Sequence, residues 1–121
     1  MRKHCGMITE TSTRTVEPDV EVVAISGRLS LGNSLMSVES NIKRMIADGS
    51  RKVVIDLSGL DSIDSAGIGT LISCNGEMER SGGHFRVAGA HGMVARSFET
   101  IHMGRVVPLD PDVESACRNL A

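Results

Sequence analysis

Residues 53–72 read VVIDLSGLDSIDSAGIGTLI, and the spacing of the apolar side chains changes along this stretch. The first apolar residues are consecutive and mostly β-branched, which is typical of a strand covered on both faces of a sheet. After a turn of acids and hydroxyls, apolar residues from Ile68 to Met78 recur at intervals of three and four. The stretch therefore predicts a buried strand, a tight turn and a helix.

The turn places Asp64 and Ser65 at the start of the predicted helix. Asp64 is a candidate N-cap whose carboxylate accepts a hydrogen bond from the N–H of Ala66 or Gly67. Ser65 is then the first helical residue, exposed at the positive end of the helix dipole, where a phosphate can be held. With Asp61 and Asp64 beside it, a phosphorylated Ser65 would create a strongly acidic patch.

The residues around Ser65 allow two interpretations. Gly67 and Gly69 each cost a helix about 1 kcal/mol relative to alanine, so they serve either close packing on the sheet or the approach of a partner's backbone. Ile63 and Ile68 flank the serine as an apolar rim for a docked protein, although burial in the core is at least as common for Ile68.

Residues 54–69 closely resemble the signature of the STAS domain, in particular that of the bacterial anti-sigma factor antagonists. A second family element, a G-x-L-D box, is similar to Gly27-Arg28-Leu29-Ser30, where Ser30 replaces the usual aspartate. The resemblance implies that Ser65, in the D-S-x-G element, is the phosphoacceptor. It also implies a partner-binding surface that consists of Ser30, Asp61, Ser62, Ile63, Asp64, Gly67, Ile68 and Gly69.

For function, the resemblance implies an anti-sigma factor antagonist. Such a protein binds an anti-sigma factor with serine kinase activity, releases the sigma factor and is switched off by phosphorylation of Ser65. A serine phosphatase resets it, and the chain itself is not an enzyme. Because Ser30 stands in place of the aspartate, a STAS scaffold or sensor subunit of a transporter or stress complex, without phosphorylation, is the alternative. A small-molecule or nucleotide sensor is a third hypothesis.

Two strands are predicted before the central stretch. Residues 7–16 indicate an edge strand, and a turn at Pro18-Asp19 connects it to a strand at residues 20–27. Residues 1–6 show no periodicity and are expected to fray or to be disordered.

An amphipathic helix follows this hairpin. Ser30 or Asn33 is its predicted cap, and Gly49 its predicted end. The predicted apolar face of this helix comprises Leu31, Leu35, Val38, Ile42, Met45 and Ile46.

The remaining elements complete an α/β fold with the order β-β-α-β-α-β-α-β-α. They are a strand at 84–88, a short helix closed by Gly104, a strand at Val106-Val107 and a final helix with Asp110 as cap and Pro111 in its first turn. Such an order predicts a mixed sheet whose parallel strands are joined by helical crossovers. We expect one STAS domain over residues 1–121.

The composition argues against nucleic-acid binding. The chain has 121 residues, 40% of them hydrophobic, which suits one domain with a modest core. Lys and Arg number 13 against 15 Asp and Glu, so there is no basic field for phosphates. With two Phe and neither Trp nor Tyr, there is also no aromatic platform on which bases could stack.

Cysteine usage and hydropathy predict a reduced, cytoplasmic protein without a membrane span. Cys5, Cys74 and Cys117 are odd in number and widely separated, which does not suit a disulfide framework. No apolar run approaches the roughly 18 residues that a spanning helix needs. No metal and no cofactor are expected, because Asp56 and Asp61 fit an ordinary solvated turn and the histidines lack ligand spacing.

Overall fold

The computed structural model describes residues 9–121, which form one six-stranded mixed sheet with helices on both faces. The elements are β1 (Glu10–Val16), β2 (Val20–Leu29), α1 (Asn33–Ala47), β3 (Lys52–Asp56), β4 (Leu60–Ile63), α2 (Ser65–Arg80), β5 (His84–Ala88), α3 (Gly92–Thr100), a 3-10 turn (Met103–Arg105), β6 (Leu109–Asp110) and α4 (Val113–Leu120). β1 is antiparallel to β2, and the other strand pairs are parallel. The predicted α/β architecture is confirmed.

Strand β2 pairs with β1, β3 and β4 and thereby positions the turn before α2. The strand order is β1-β2-β3-β5-β6, and β4 pairs with the end of β2 beyond β3. The register between β2 and β4 shifts between Gly27 and Arg28, where Gly27 has φ = 85°. A positive φ favours glycine, and the irregularity lets one strand serve two partners on the same edge.

Strand β3 is covered on both faces, as its continuous apolar sequence predicted. Val53 and Ile55 face the larger hydrophobic cluster, which lies under α1, α2 and α3. Val54 faces a smaller cluster that includes Ala116 and Leu120 of α4. The three β3 side chains are fully buried, at 0% exposure, so the central strand holds two separate cores together.

The predicted start of the first helix is wrong in two respects. Its N-cap is Gly32, with φ = 151°, and no side chain caps the helix, so neither Ser30 nor Asn33 has that role. Leu31, assigned above to the apolar face, lies before the helix and is 80% exposed. The backbone turn at Gly32 takes Leu31 out of the helical register, while the remaining apolar face packs on the sheet.

The predicted strand at Val106-Val107 is also wrong, because these residues follow the 3-10 turn and the strand is β6. The final helix is capped by Asp112 and not by Asp110, and Pro111 precedes that cap. Asp110 is engaged elsewhere: its carboxylate is nearly buried and accepts hydrogen bonds from Arg86 Nε at 2.6 Å and from Asn119 at 2.7 Å.

The structure adds one strand that the sequence did not predict, β4, within what was interpreted as a turn. The hairpin of β1 and β2 is confirmed from Glu10 onward. Residues 1–6, expected to fray, and residues 7–8 of the predicted edge strand lie outside the described residues. Cys74 is buried, and burial raises the pKa of its thiol to about 12.

Candidate functional site

Asp64 occupies the junction between β4 and α2 and caps the helix, as predicted. Its backbone is extended, and its Oδ1 accepts a hydrogen bond from the N–H of Gly67 at 2.9 Å. Helix α2 therefore begins at Ser65. A cap of this kind satisfies one of the backbone donors that a helix leaves unpaired in its first turn.

The second carboxylate oxygen of Asp64 reaches a distant part of the chain. Oδ2 accepts a hydrogen bond from the N–H of Leu31 at 3.0 Å, and the N–H of Asp64 donates to the carbonyl oxygen of Leu29 at 3.2 Å. Hydrogen bonds from Leu31 and then from Gly67 lower the pKa of Asp64 below its ordinary value. The segment after the Gly27-Arg28-Leu29-Ser30 box and the turn before α2 are thus fastened to each other.

The two glycines of the first turns of α2 have different surroundings. A Cβ added to Gly67 would lie 2.4 Å from the carbonyl oxygen of Leu29 and 2.7 Å from Cγ1 of Ile63. A Cβ added to Gly69 would meet nothing within 4 Å. Gly67 is therefore required by close packing of α2 against β2, whereas Gly69 lies on an open, exposed part of the helix.

Ser65 is exposed at the beginning of α2. Within residues 9–121 its hydroxyl forms no hydrogen bond, so it is available to an incoming reagent. The first turn of α2 contains no acidic residue, but Asp64 precedes it directly and Asp61 is exposed at the start of β4. A group attached to Ser65 would enter an environment that already carries negative charge.

The other residues predicted for the partner-binding surface lie at the same end of β2 and β4, with different exposures. Ser30, Ser62, Ile63 and Ile68 are half-buried, and the two isoleucines pack against the larger cluster. Pairing of Leu29 with Ile63 brings the ends of the two strands together. We call the whole set the Ser65 surface; it comprises Ser65 with Ser30, Asp61, Ser62, Ile63, Asp64, Gly67, Ile68 and Gly69.

Two exposed apolar residues near this surface were not predicted as site residues. Leu31, 80% exposed, follows Ser30 directly, and its backbone N–H is bound to Asp64. Met36, 65% exposed, belongs to the first turn of α1. Gly32 was the available signal, because a glycine directly after Leu31 interrupts the helical pattern that placed this leucine on the apolar face.

The described residues around the site do not include a cluster of metal ligands. Among the residues that the structure describes, no three His, Cys, Asp or Glu side chains are grouped so that they could hold a metal ion. Asp56 instead accepts a hydrogen bond from the N–H of Ser58 at 3.0 Å, as in an ordinary turn. Over the same described part of the chain, no helix combines the length and the hydropathy of a membrane span.

Solved structures with the same fold include regulators and a transporter. An anti-sigma factor antagonist from Mycobacterium paratuberculosis superposes with a TM-score of 0.80 at 24% identity, covering 93% of this chain and 94% of that one. The phosphorylated form of SpoIIAA, a Bacillus cell fate determinant, gives 0.72 at 18% identity, covering 93% and 100%. The murine anion transporter Slc26a9 gives 0.72 at 18% identity, covering 95% of this chain and 22% of the transporter.

At these identities the structural matches show a shared fold. The family model described as STAS domain matches residues 12–116, which include both sequence elements that meet at Asp64. The mixed sheet and its strand order agree with that assignment. The chain belongs to the STAS domain family.

Proposed function

We propose that this protein is an anti-sigma factor antagonist whose partner binding is controlled by phosphorylation of Ser65. The observation that carries the proposal is an exposed serine, free of hydrogen bonds within residues 9–121, at the capped start of α2. Structural neighbours described as anti-sigma factor antagonists support the assignment, and one of them, SpoIIAA, is also solved in a phosphorylated form.

In the unmodified state the Ser65 surface docks on an anti-sigma factor that is also a serine kinase, and the sigma factor is released. Exposed Leu31 and Met36 supply apolar contact area beside the serine. Gly69 leaves room for the partner's backbone to approach α2. Gly67 and Asp64 act indirectly, because they fix the position of the turn that presents Ser65.

Phosphorylation adds about 1.5 to 2 negative charges at Ser65. Asp64 directly precedes Ser65 and Asp61 lies at the start of β4, so the phosphate adds to existing negative charge. A mispaired charge in an interface costs about 2–5 kcal/mol, and each tenfold change in affinity corresponds to about 1.4 kcal/mol. We therefore expect the partner to bind the phosphorylated protein a hundredfold or more weakly.

In this proposal the chain performs no catalysis and needs neither a metal nor a cofactor. The kinase is the anti-sigma factor, and a separate serine phosphatase restores the active form. The protein works in the cytoplasm as a single domain over residues 1–121, without contacting nucleic acid. This agrees with the balanced charge of the sequence, which has a formal net charge of −2.

Phosphoryl transfer is tested by incubating the protein with ATP and each serine-kinase anti-sigma factor of the source organism. Intact mass should increase by one phosphate, and peptide mapping should locate it at Ser65. Ser65→Ala should abolish the modification. Ser58→Ala is the matched control, because Ser58 is an exposed serine in the neighbouring turn and should leave phosphorylation unchanged.

Partner release is tested by calorimetry with an anti-sigma factor that binds the unmodified protein. The phosphorylated protein and Ser65→Asp should both lose affinity, whereas Ser58→Asp should retain it. Equal affinities of the unmodified and phosphorylated proteins would contradict the proposed control by Ser65, even if binding itself is observed.

The alternative is a STAS scaffold or sensor subunit that is not phosphorylated. The likeness to a transporter that contains the same fold, and Ser30 in place of the family's aspartate, favour it. If the wild type is not phosphorylated but the Ser30→Asp variant is, then Ser30 in place of the family's aspartate has removed kinase recognition. That result would support this alternative.

A further inference from the structure

Strand β1 forms one edge of the sheet and pairs with β2 along only one of its own edges. The antiparallel register runs through seven residue pairs without a bulge, from Glu10 opposite Ser26 to Val16 opposite Val20. No other strand among residues 9–121 pairs with β1. Every second residue of β1 therefore directs its backbone N–H and C=O away from the sheet, toward a place where another strand can bind.

The side chains of β1 contribute little to the core of the protein. Residues 10–15 are exposed, and only Val16 is partly buried against the smaller cluster. The strand is rich in Thr, which favours β structure. Edge strands that avoid pairing usually carry proline, a bulge or charged side chains. The ETSTRTV sequence of β1 has neither proline nor a bulge, and its two charged residues, Glu10 and Arg14, are of opposite sign.

We propose that β1 pairs with β1 of a second copy of this chain in an antiparallel, two-fold symmetric arrangement centred on Ser12. In this register Glu10 of each copy lies opposite Arg14 of the other. Glu10, Ser12 and Arg14 share one face of the strand because side chains alternate, and neither charged residue forms an ion pair within residues 9–121. Two complementary ion pairs therefore form across the symmetry axis.

The charges also select the register. If the axis moved by one residue to Thr13, Glu10 would lie opposite Val16 and Arg14 opposite Ser12, and both ion pairs would be lost. Of these two symmetric pairings, only the one centred on Ser12 matches each acid with a base. Register in a polar strand is otherwise weakly specified, so this match is what commits β1 to one arrangement.

The dimer goes beyond the proposed function and leaves the Ser65 surface accessible. β4, which leads into Ser65, continues the edge of β2 that pairs with β3, whereas β1 occupies the opposite edge. Each copy can thus bind its own partner. Because the contact is one strand wide and below the area of a standard stable interface, we expect a dissociation constant on the order of 100 µM.

Charge reversal tests the pairing. Sedimentation velocity over about 10 µM to 1 mM brackets the expected constant; it should show a monomer–dimer equilibrium for the wild type. Glu10→Arg and Arg14→Glu should each weaken the dimer by about tenfold or more, because each creates like-charge pairs. Arg96→Glu is the matched control for Arg14→Glu, since it makes the same charge change at an exposed position on α3.

Mixing the two single variants is the decisive measurement. Glu10→Arg carries two bases on β1 and Arg14→Glu two acids, so a 1:1 mixture should form a heterodimer at concentrations where each variant alone is monomeric. The double variant should dimerise like the wild type. A wild type that remains monomeric, or a mixture that does not associate, would overturn the proposal. These outcomes do not depend on whether Ser65 is phosphorylated.

Discussion

Helices α2 and α4 begin in nearly the same way, yet only one of these beginnings belongs to a candidate site. Asp64 caps α2 through a hydrogen bond from Gly67 N–H at 2.9 Å, and Asp112 caps α4 through one from Ser115 N–H at 2.8 Å. In both cases hydrogen bonds from the helix's own first turn help lower the pKa of the carboxyl group.

The two carboxylates differ in the hydrogen bonds that they accept in addition to the capping bond. Asp64 also accepts a hydrogen bond from Leu31, 33 residues away in sequence. The contributions to the lowered pKa of Asp112 come from Ser115 and Arg118 of its own helix. Capping alone is therefore a local device, whereas the long-range bond of Asp64 fixes an exposed serine relative to a second chain segment.

The largest expected effect is a difference in unfolding free energy between substitutions at the third residues of α2 and α4. Gly67→Ala should destabilise the protein by about 3 kcal/mol, because its Cβ would overlap the backbone of β2. Ser115→Ala, at the equivalent position of α4, should change the free energy of unfolding by less than about 0.5 kcal/mol. Urea denaturation measures the loss of unfolding free energy in both variants. Equal losses would show that the close approach of Gly67 to β2 does not restrict the residue at this position.

Replacing each capping residue should give the next largest effect. Asp64→Ala should cost about 1–2 kcal/mol in unfolding free energy, because it removes a cap and leaves Leu31 N–H without its acceptor. Asp112→Ala should cost less, since only a local cap is lost. Amide hydrogen exchange at Leu31 should accelerate in Asp64→Ala and stay unchanged in Asp112→Ala; unchanged exchange in both would contradict a tie between the two segments.

Gly69→Ala sharpens the comparison within α2 itself. Because the added methyl group meets nothing within 4 Å, the variant should be more stable than the wild type by about 0.5–1 kcal/mol through helix propensity. Thermal or urea unfolding measures the gain. If the same variant gains stability but loses affinity for an anti-sigma factor that binds the wild type, the open position contacts that partner. A loss of stability would mean that an added methyl group is not accommodated at this part of α2.

The smallest expected effect is a dependence of stability on pH. Both carboxyl groups have a folded pKa below the ordinary value of 3.8, so their contribution to stability is complete above that value and is lost as pH falls through the folded pKa. The stability difference between the wild type and Asp64→Asn should thus narrow below about pH 4. NMR titration of both carboxyl groups checks the direction, and a folded pKa above 3.8 at Asp64 would refute it.

The sequence predicted the cap of α2 correctly and the cap of α4 incorrectly for a physical reason. Both positions offered an aspartate before an apolar stripe. Asp110 was the expected cap of α4, but Arg86 and Asn119 engage its carboxylate, and Asp112 takes the role instead. Such competition between tertiary partners cannot be derived from the spacing of residues in the chain.

Other differences arise where backbone conformation overrides the side-chain pattern. The rhythm that placed Leu31 in the core is broken by the turn at Gly32. Strand β4 went unpredicted because four residues carry little periodic signal, and its pairing depends on the irregularity at Gly27 in another strand. The buried strand β3, by contrast, was predictable, because its apolar run has one stable environment.

The location of the candidate site was predictable from the sequence, but its full set of residues was not. The change of period before α2 indicated an exposed Ser65 at a helix start, as found. The roles of phosphoacceptor and partner-binding residues come from family resemblance and stay predictions. Exposed Leu31 and Met36 required coordinates, because exposure of an apolar residue depends on what the rest of the chain leaves uncovered.

The unequal cores on the two faces of the sheet should make α4 easier to detach than α2. The buried side chains of α4 are Ala116 and Leu120, whereas α2 contributes Leu71, Cys74 and Met78 to the larger cluster. Sub-global unfolding should therefore detach the C-terminal helix before α2, so the amides of α4 should exchange with deuterium sooner than those of α2. Since that helix covers the other face of the sheet, warming can detach it while the opposite layer keeps its native geometry.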